Sequence, residues 1–436
     1  MITDTPRIVT RHLDTPESWT LGAYLSTDGY QGLRKALAMS PEEVAQEVQK
    51  ASLLGRGGAG FPAGQKWSML RKAEPVYLVV NGDESEPATF KDHMLIEQDP
   101  HQIVEGSLIT AYAIGAARAF IYIRGEFALG LERMTQAVNE AYEYGAAGRD
   151  IFDSGWSMDV VVHPGAGAYI CGDETGLLES LEGKRGFPRI KPPFFPAAFG
   201  LYQAPTVVNN VETLSNIPWI VQNGGDAFAA LGGEGRSKGT RLFAVSGHVN
   251  RPGNFEVEMV KTTFRDLIYA AEYGAGIRGD RPLKAFIPGG ASSYWLGPDD
   301  LDVALDQDEV QQKHDTMLGS GSVVAMDDRT CMVRAAWRIT RFFHKESCGQ
   351  SPPCREGGGW LEKILARIEG GQGREADLDL LLDACDNIAP GLSWPPRQTT
   401  ICPLGPSIPS SIVSAIRMFR DEFLLHIKEG ACPHAA

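Results

Sequence analysis

The sequence predicts an α/β chain in three stretches: a parallel-sheet region, then a small α+β module, then a helical tail. Three observations carry this. Short β-branched runs in the first half alternate with helix-period segments and end in polar, glycine-rich loops; near residue 240 a hairpin pattern takes over; from about 330 the apolar residues keep helical spacing.

In order along the chain, residues 76–80, 120–123 and 159–163 are continuous apolar runs of the kind found in parallel strands covered on both faces. In such sheets ligands sit just beyond the carboxyl ends of the strands, where this chain places its glycine-rich and acidic segments. Residues 241–246 and 254–257 flank the turn Arg251-Pro252-Gly253 as a hairpin. A helix follows, capped by Thr262 or Thr263, with Phe264, Leu267, Ile268 and Ala271 on its apolar face. Strands at 285–287 and 323–326 complete the module, whose limits fall near 240 and 328. Helices are expected at 332–344, 360–369, 376–384 and 410–427, forming a small bundle, with an irregular loop at 389–400.

With 436 residues, 43% of them hydrophobic, the chain can bury a large core. Its 41 basic against 55 acidic residues give a net charge of -14, which argues against nucleic-acid or anionic-membrane binding. An anionic ligand must therefore meet locally placed cations or helix N-termini. No apolar run approaches the roughly 18 residues that span a bilayer, and residues 1–18 carry no signal core. The expectation is a cytosolic protein that reaches a membrane only by docking on something membranous. Seven cysteines without a secretory signal do not suggest a disulfide framework. Cys171, Cys331, Cys385 and Cys432 are isolated and read as inert thiols; Cys348, Cys354 and Cys402 stand apart.

Four segments carry chemistry. Residues 55–64, GRGGAGFPAG, hold five glycines in ten, which lets consecutive N–H groups converge on a phosphate or a flat ring; Lys66 and Trp67 follow. A plain structural turn is the competing reading. Residues 81–87, NGDESEP, place amide and carboxylate groups directly after a strand, suited to a flavin edge or ribose hydroxyls, or to a solvated acidic loop. Residues 165–175, GAGAYICGDET, run from a strand into a helix whose apolar positions are Leu177, Leu178 and Leu181, so that N–H groups would face an anion. The spacing is not that of a standard dinucleotide fingerprint. Lys184, Arg185, Arg189 and Lys191 then cluster before Pro192-Pro193-Phe194-Phe195, and Asn209-Asn210-Val211-Glu212-Thr213 offers an N-cap or a ligand contact. The fourth segment is ESCGQSPPCR at 346–355 with Cys402-Pro403 downstream, thiols that suit a metal or iron-sulfur centre in what reads as a turn between helices.

Together and in this order, GRGGAGFPAGQKW, NGDESEP, GAGAYICGDET, KPPF, VNNVET and ESCG with CREG resemble the NADH-binding FMN flavoprotein subunit of respiratory complex I, an NADH:quinone oxidoreductase, over nearly the whole chain. The resemblance implies an FMN/NADH-binding α/β domain at 1–239, a ubiquitin-like β-grasp module at 240–328 and a four-helix iron-sulfur domain at 329–436. It implies FMN contacts at Gly55, Arg56, Gly57, Gly58, Gly60, Lys66, Asn81, Asp83, Ser85, Asn209, Asn210 and Thr213, with the Gly172-Asp173-Glu174 turn. Around NADH it places Phe61, Glu86, Tyr169, Glu174, Lys191 and Phe194, with Phe61 and Phe194 as stacking rings and Glu86, the one candidate catalytic residue, near the nicotinamide. It implies hydride transfer from NADH to FMN and single-electron transfer to a 4Fe-4S cluster. Its partners would be a small thioredoxin-like 2Fe-2S subunit and a large iron-sulfur subunit, in a complex peripheral to the membrane.

The family's cluster motif has cysteine where this chain has Ser351, leaving Cys348, Cys354 and Cys402 with a hydroxyl. A serine is far harder to deprotonate than a thiol, so a weaker or lower-potential centre follows. Three outcomes stay open: Ser351 or water as fourth ligand, a 3Fe-4S centre, or a serine that is not the natural residue. Gly176 also departs, since the family usually has a Cβ there. The rival functions are the diaphorase subunit of a soluble NAD-dependent hydrogenase or formate dehydrogenase, and a non-catalytic scaffold that has lost its cluster.

Overall fold

A computed structural model describes residues 5–434. The first sheet consists of β1 (Tyr77–Gly82), β2 (Arg118–Ile123), β3 (Val160–Pro164) and β4 (Thr206–Asn210), in the order β3-β2-β1-β4. All its pairings are parallel, with Val79 opposite Phe120 and Val80 opposite Asn209. The chain thus steps from β1 through β2 to β3 on one side, then returns to lay β4 on the other side of β1. Strand order reverses between β1 and β4, which is where an open α/β sheet parts its loops and accepts a ligand.

β1 extends through Asn81 and Gly82, two residues beyond the expected end, so the polar motif begins within the strand. β4 is an addition to the expected strands: three β-branched residues followed by two asparagines are too short a signal to stand out. The helix Pro100–Ile114 is buried along nearly its whole length. A Cβ on its Gly106 would collide with the backbone carbonyl of Leu214. Gly106→Ala is therefore expected to cost about 1–3 kcal/mol, read by chemical denaturation.

The second sheet has the order β6-β5-β8-β7, from β5 (Thr240–Gly247), β6 (Gly253–Glu258), β7 (Leu283–Ile287) and β8 (Ser322–Asp327). β5 and β8 run parallel, and β7 is antiparallel to β8. Thr263 caps the helix Phe264–Tyr269 in a reciprocal box with Asp266. That helix stops at Tyr269, so Ala271 is exposed beyond it and leaves the expected apolar face.

Four helices follow: Met332–Glu346, Pro352–Glu369, Ala376–Ile388 and Leu404–Glu429. The first packs on the second and fourth, and the third packs on the same two. The second begins at Pro352, eight residues before its expected start, because Pro352 and Pro353 occupy first-turn positions that need no N–H. Gly357, Gly358 and Gly359 continue it where a Cβ would come within 2.8 Å of Ile388, 3.1 Å of Ile408 and 3.1 Å of His344. Cys354 accordingly sits on a helical turn, not in the loop expected from the prolines and glycines.

By its internal contacts the chain divides into two compact units. One takes the described residues through Ser85 with Thr89–Phe243 and Asn254–Lys261; the other takes Glu86–Ala88, Ala244–Gly253 and the described residues from Thr262 on. No helix among the described residues is long and apolar enough to cross a membrane.

Candidate functional site

In the first unit the glycine loop is closed at its base by the Leu54–Pro62 bridge, with Gly55 N–H donating to Phe61 O (2.9 Å) and Ala63 N–H to Leu53 O (2.9 Å). Gly58 has φ +135° and Gly60 φ +65°, conformations that favour glycine. A Cβ on Gly57 would lie 3.0 Å from that of Asn210, so the loop rests directly against the end of β4. Arg56 faces inward. Its guanidinium donates to the carbonyls of Lys238 (2.9 Å) and Thr240 (2.8 Å), and its N–H to Thr213 Oγ1 (2.9 Å). Burial, aided by Arg241, lowers its pKa to about 10. Trp67 Nε1 donates to the buried Asn209 Oδ1 (3.0 Å), and Asn210 caps the next helix through Glu212 N–H (3.0 Å). The side chains of Arg56, Asn209 and Thr213 therefore frame the loop, while Gly57 and Phe61 are exposed on it.

At the end of β1, Asn81 Nδ2 donates to Gly172 O (2.9 Å), and Ser85 Oγ donates to Asp83 Oδ2 (2.7 Å). Beneath this loop lies a buried ionic group whose Lys91 and Asp92 the sequence did not single out: Lys91 Nζ is 2.8 Å from Asp92 and 2.6 Å from Glu212. Asp92 in turn accepts from Asn210 Nδ2 (2.6 Å). Glu84 accepts from Asp92 N–H (2.7 Å), His93 N–H (3.1 Å) and His93 Nδ1 (2.7 Å). Burial pushes Glu84 up, but His93, Lys91 and the Asp92 amide outweigh it and hold the carboxyl below its usual range. The hydrogen bond to Glu84, against burial, raises His93. The depressed carboxyl contributes stability that is lost as pH falls through its folded value. The raised imidazole contributes stability that is complete below its unfolded value and lost as pH rises through its folded one. Amide protection of Asp92 and His93 is therefore expected to peak between about pH 5 and 6.5 in hydrogen exchange corrected for intrinsic rates.

The 165–175 segment departs from the expectation of free N–H groups. Tyr169–Gly172 is a 3₁₀ turn, and Asp173 then caps the helix Glu174–Leu181, accepting from Thr175 N–H (2.9 Å) and Gly176 N–H (3.1 Å). The protein's own carboxylate has taken the place at that helix end. A Cβ on Gly176 would lie 2.5 Å from Ile170 O, which accounts for glycine there. Glu174 sits between two cations, Lys66 (3.4 Å) and Lys191 (3.2 Å), and Lys191 is 3.6 Å from Asp173. Burial pushes Glu174 up, and the two lysines reverse this, holding it below the usual carboxylate range. The other cations of the cluster are spent elsewhere: Arg189 on Glu179 (2.5 Å) and Glu182 (2.8 Å), Lys184 on Glu182 (2.6 Å), with Arg185 over the Phe187 ring. Phe61 and Phe194 stay 40% and 38% exposed, which leaves ring surface available for stacking. Glycine cradle, exposed rings, two lysines and the amide-rich ends of β1 and β4 fit a flavin phosphate with a dinucleotide.

In the second unit, Glu86 accepts from Ser292 N–H (2.7 Å), and Gly290, at φ +100°, lies against its side chain. Ile401 N–H donates to Ser351 Oγ (2.9 Å), which brings the Cys402 segment to the start of the helix bearing Cys354. Ser347 Oγ lies 3.2 Å from Cys354 Sγ, and the Cys348 charge, after burial, helps raise the Cys354 thiol. Cys354 and Cys402 are buried and Cys348 half-buried. Three thiols and a hydroxyl on adjoining segments are a donor set that fits an iron-sulfur centre.

Known proteins share these segments. The Nuo51 FMN-binding domain matches residues 48–219, an SLBB domain residues 242–275, and the NADH-ubiquinone oxidoreductase-F iron-sulfur binding region residues 334–426. The F subunit of the NADH-quinone oxidoreductase of Mycobacterium tuberculosis is 48% identical over 98% of this chain and 94% of its own length. The F 2 subunit of the Rhizobium meliloti enzyme is 47% identical over 98% and 99%. The NADP-reducing hydrogenase subunit HndC of Solidesulfovibrio fructosivorans is 42% identical over 98% and 84%. A solved NAD+-reducing [NiFe]-hydrogenase in the H2-reduced state superimposes with a TM-score of 0.80 at 31% identity, covering 99% of this chain and 68% of that one. On these grounds the chain belongs to the family of NADH-quinone oxidoreductase F subunits.

Proposed function

We propose that this chain is the subunit that oxidises NADH with FMN and hands electrons singly to an iron-sulfur cluster, in a complex I-type chain leading to quinone. The observation that carries the reading is the convergence of the glycine loop, the β1 end and the β4 end at the strand-order reversal, beside the Lys66–Glu174–Lys191 group. Bound FMN supplies the hydride-accepting and electron-splitting chemistry, and the protein supplies position and field. Lys66 serves the flavin phosphate and Lys191 the dinucleotide, each offset by Glu174 until an anion arrives. Phe61 and Phe194 stack, and Asn81, Asp83 and Ser85 line the flavin edge. Glu86, held by the Ser292 amide, is assigned to the nicotinamide end on the family likeness. Cys348, Cys354 and Cys402, with Ser351, hold the iron. We read residues 1–239, 240–328 and 329–436 as the flavin domain, a β-grasp module and a four-helix bundle. The partners are a thioredoxin-like 2Fe-2S subunit and a large iron-sulfur subunit, with membrane association through the complex.

The likeness to hydrogenase subunits keeps a diaphorase as the second reading; purification of the native complex, with or without a hydrogenase subunit, separates the two. For the chemistry, the full chain is expected to carry one flavin that NADH bleaches, and to reduce ferricyanide. Lys66→Ala is expected to weaken FMN retention about tenfold, whereas Lys191→Ala raises the KM for NADH by a similar factor and leaves flavin content unchanged. A chain without flavin, or with flavin that NADH leaves yellow, sinks the reading.

A further inference from the structure

Cys331 and Cys432, inert and isolated in the sequence, meet in the fold. Their sulfurs are 3.6 Å apart. His426 Nε2 lies 3.3 Å from Cys331 Sγ, Glu369 Oε2 lies 3.6 Å from the same sulfur, and Glu369 Oε2 lies 3.5 Å from His426 Nε2. All four donor atoms fall within 4.8 Å of one another. The imidazole is fully buried, and the other three side chains are at least nine-tenths buried.

Four of these separations have the lengths of edges in a coordination tetrahedron, and the remaining two, from Cys432 to His426 and to Glu369, are within 4.8 Å. With zinc–sulfur bonds of about 2.3 Å and zinc–nitrogen or zinc–oxygen bonds of about 2.0 Å at tetrahedral angles, the S···S, S···N and N···O edges come to about 3.8, 3.5 and 3.3 Å. The observed 3.6, 3.3 and 3.5 Å agree within the ligand-distance tolerance. Three of the four donors are also aimed by an outer partner. His426 Nδ1–H donates to Glu422 O (2.7 Å), which leaves Nε2 as the lone-pair nitrogen facing the cluster. Arg334 Nε binds Glu369 Oε1 (2.6 Å), turning Oε2 inward, and Arg334 N–H donates to Cys331 Sγ (3.3 Å). Two thiolates and a carboxylate with a dication carry a charge of -1, which the adjoining, partly exposed Arg334 guanidinium offsets.

We propose that Cys331, Glu369, His426 and Cys432 form a structural binding site for a single divalent cation of the zinc class, separate from the iron-sulfur site. The two sites lie at opposite ends of the same helices. Cys331 caps the start of Met332–Glu346, whose far end leads to Cys348, and Glu369 closes the helix that Ser351 opens. At 1.5 Å per residue, the fifteen residues of the first helix put about 22 Å between its ends. Two thiols with an imidazole and a carboxylate select a borderline-soft, tetrahedral ion over magnesium or calcium. The bound ion ties the start of one helix to the ends of two others and to the last residues of the described chain. Its role is to clip the tail, with no open position for catalysis.

The test is metal analysis of the full chain purified anaerobically with flavin and iron in place. About one zinc per chain is expected in addition to the iron, falling to below about a tenth in Cys432→Ser, with iron and flavin contents unchanged. Cobalt-grown protein should show tetrahedral d–d and thiolate-to-metal bands that His426→Gln abolishes. Zinc removal should lower the melting temperature by several degrees and expose the amides of residues 426–434 to exchange. Zinc that persists in Cys432→Ser, wild-type protein with no zinc and two titratable thiols, or a Cys331–Cys432 disulfide in anaerobic protein would each overturn the proposal. Iron content, read at the other end of the same helices, shows whether a variant's helical region has folded, and Cys432→Ser, which lies outside those helices, disturbs them least.

Discussion

Replacing Lys91 with methionine is expected to lower the unfolding free energy by about 3–5 kcal/mol, because it removes one partner of a buried charge group and leaves the others. The Lys91 side chain is 1% exposed, and the Asp92 and Glu212 carboxylates it joins are 6% and 0% exposed. Glu212 also accepts from Leu242 N–H (2.8 Å), so it cannot turn away. Asp92 is already raised to about 6 by burial even beside this cation, and without it moves further up. A carboxyl raised in the folded state is penalised at high pH and relieved as pH falls through its folded value. The gap between variant and wild type should therefore be widest above about pH 7 and narrow toward pH 5, measured by urea unfolding across that range. Asp92 also holds Asn210, so the variant should lose flavin as well as stability. Adding Glu212→Gln should recover part of the loss, since fewer charges are then left without a counterion. If Lys91→Met unfolds like wild type at neutral pH, the buried group contributes nothing and the β4 end is held by other means.

The same group shows what a linear sequence hides. β-branched runs made β1, β2 and β3 legible, and the glycine segments announced their loops, because strands and turns are local. Lys91, Asp92 and Glu212 are ordinary charges until the fold brings residue 91 to residue 212. The Arg56 guanidinium likewise became a frame through carbonyls nearly two hundred residues away, at Lys238 and Thr240. Asp173 lay in plain view as the cap of its own helix, and the glycines before it drew attention to an anion instead. The start at Pro352 was masked because Pro-Pro and Gly-Gly-Gly resemble helix breakers, although one suits a helix start and the other suits close helix packing. Cys331 and Cys432 are a hundred and one residues apart, and nothing in their neighbours signals the pairing.

Ser351→Cys is expected to raise the iron content of the isolated chain to about four per protein and to slow iron loss to a chelator by about tenfold, since thiolate is the ligand iron-sulfur centres use. The position is prepared for it. Ser351 is the N-cap of its helix, yet its side chain makes no capping bond. Its oxygen instead receives the Ile401 N–H at 2.9 Å, an amide that would donate to a ligand atom at that place and stabilise its negative charge. Cys354 lies one turn further into the same helix, and Cys402 follows Ile401 directly. The serine oxygen thus stands at the helix start where the Cys354 and Cys402 segments meet, free of any capping role. Ser351→Ala should then lower iron content below that of wild type, because the hydroxyl is the donor being removed. Iron and sulfide assays with electron paramagnetic resonance of the reduced protein rank the three forms. The order cysteine, serine, alanine assigns the fourth ligand to position 351, whereas equal iron in the serine and alanine forms removes Ser351 from the site, with about four irons giving the place to water and about three giving a 3Fe-4S centre.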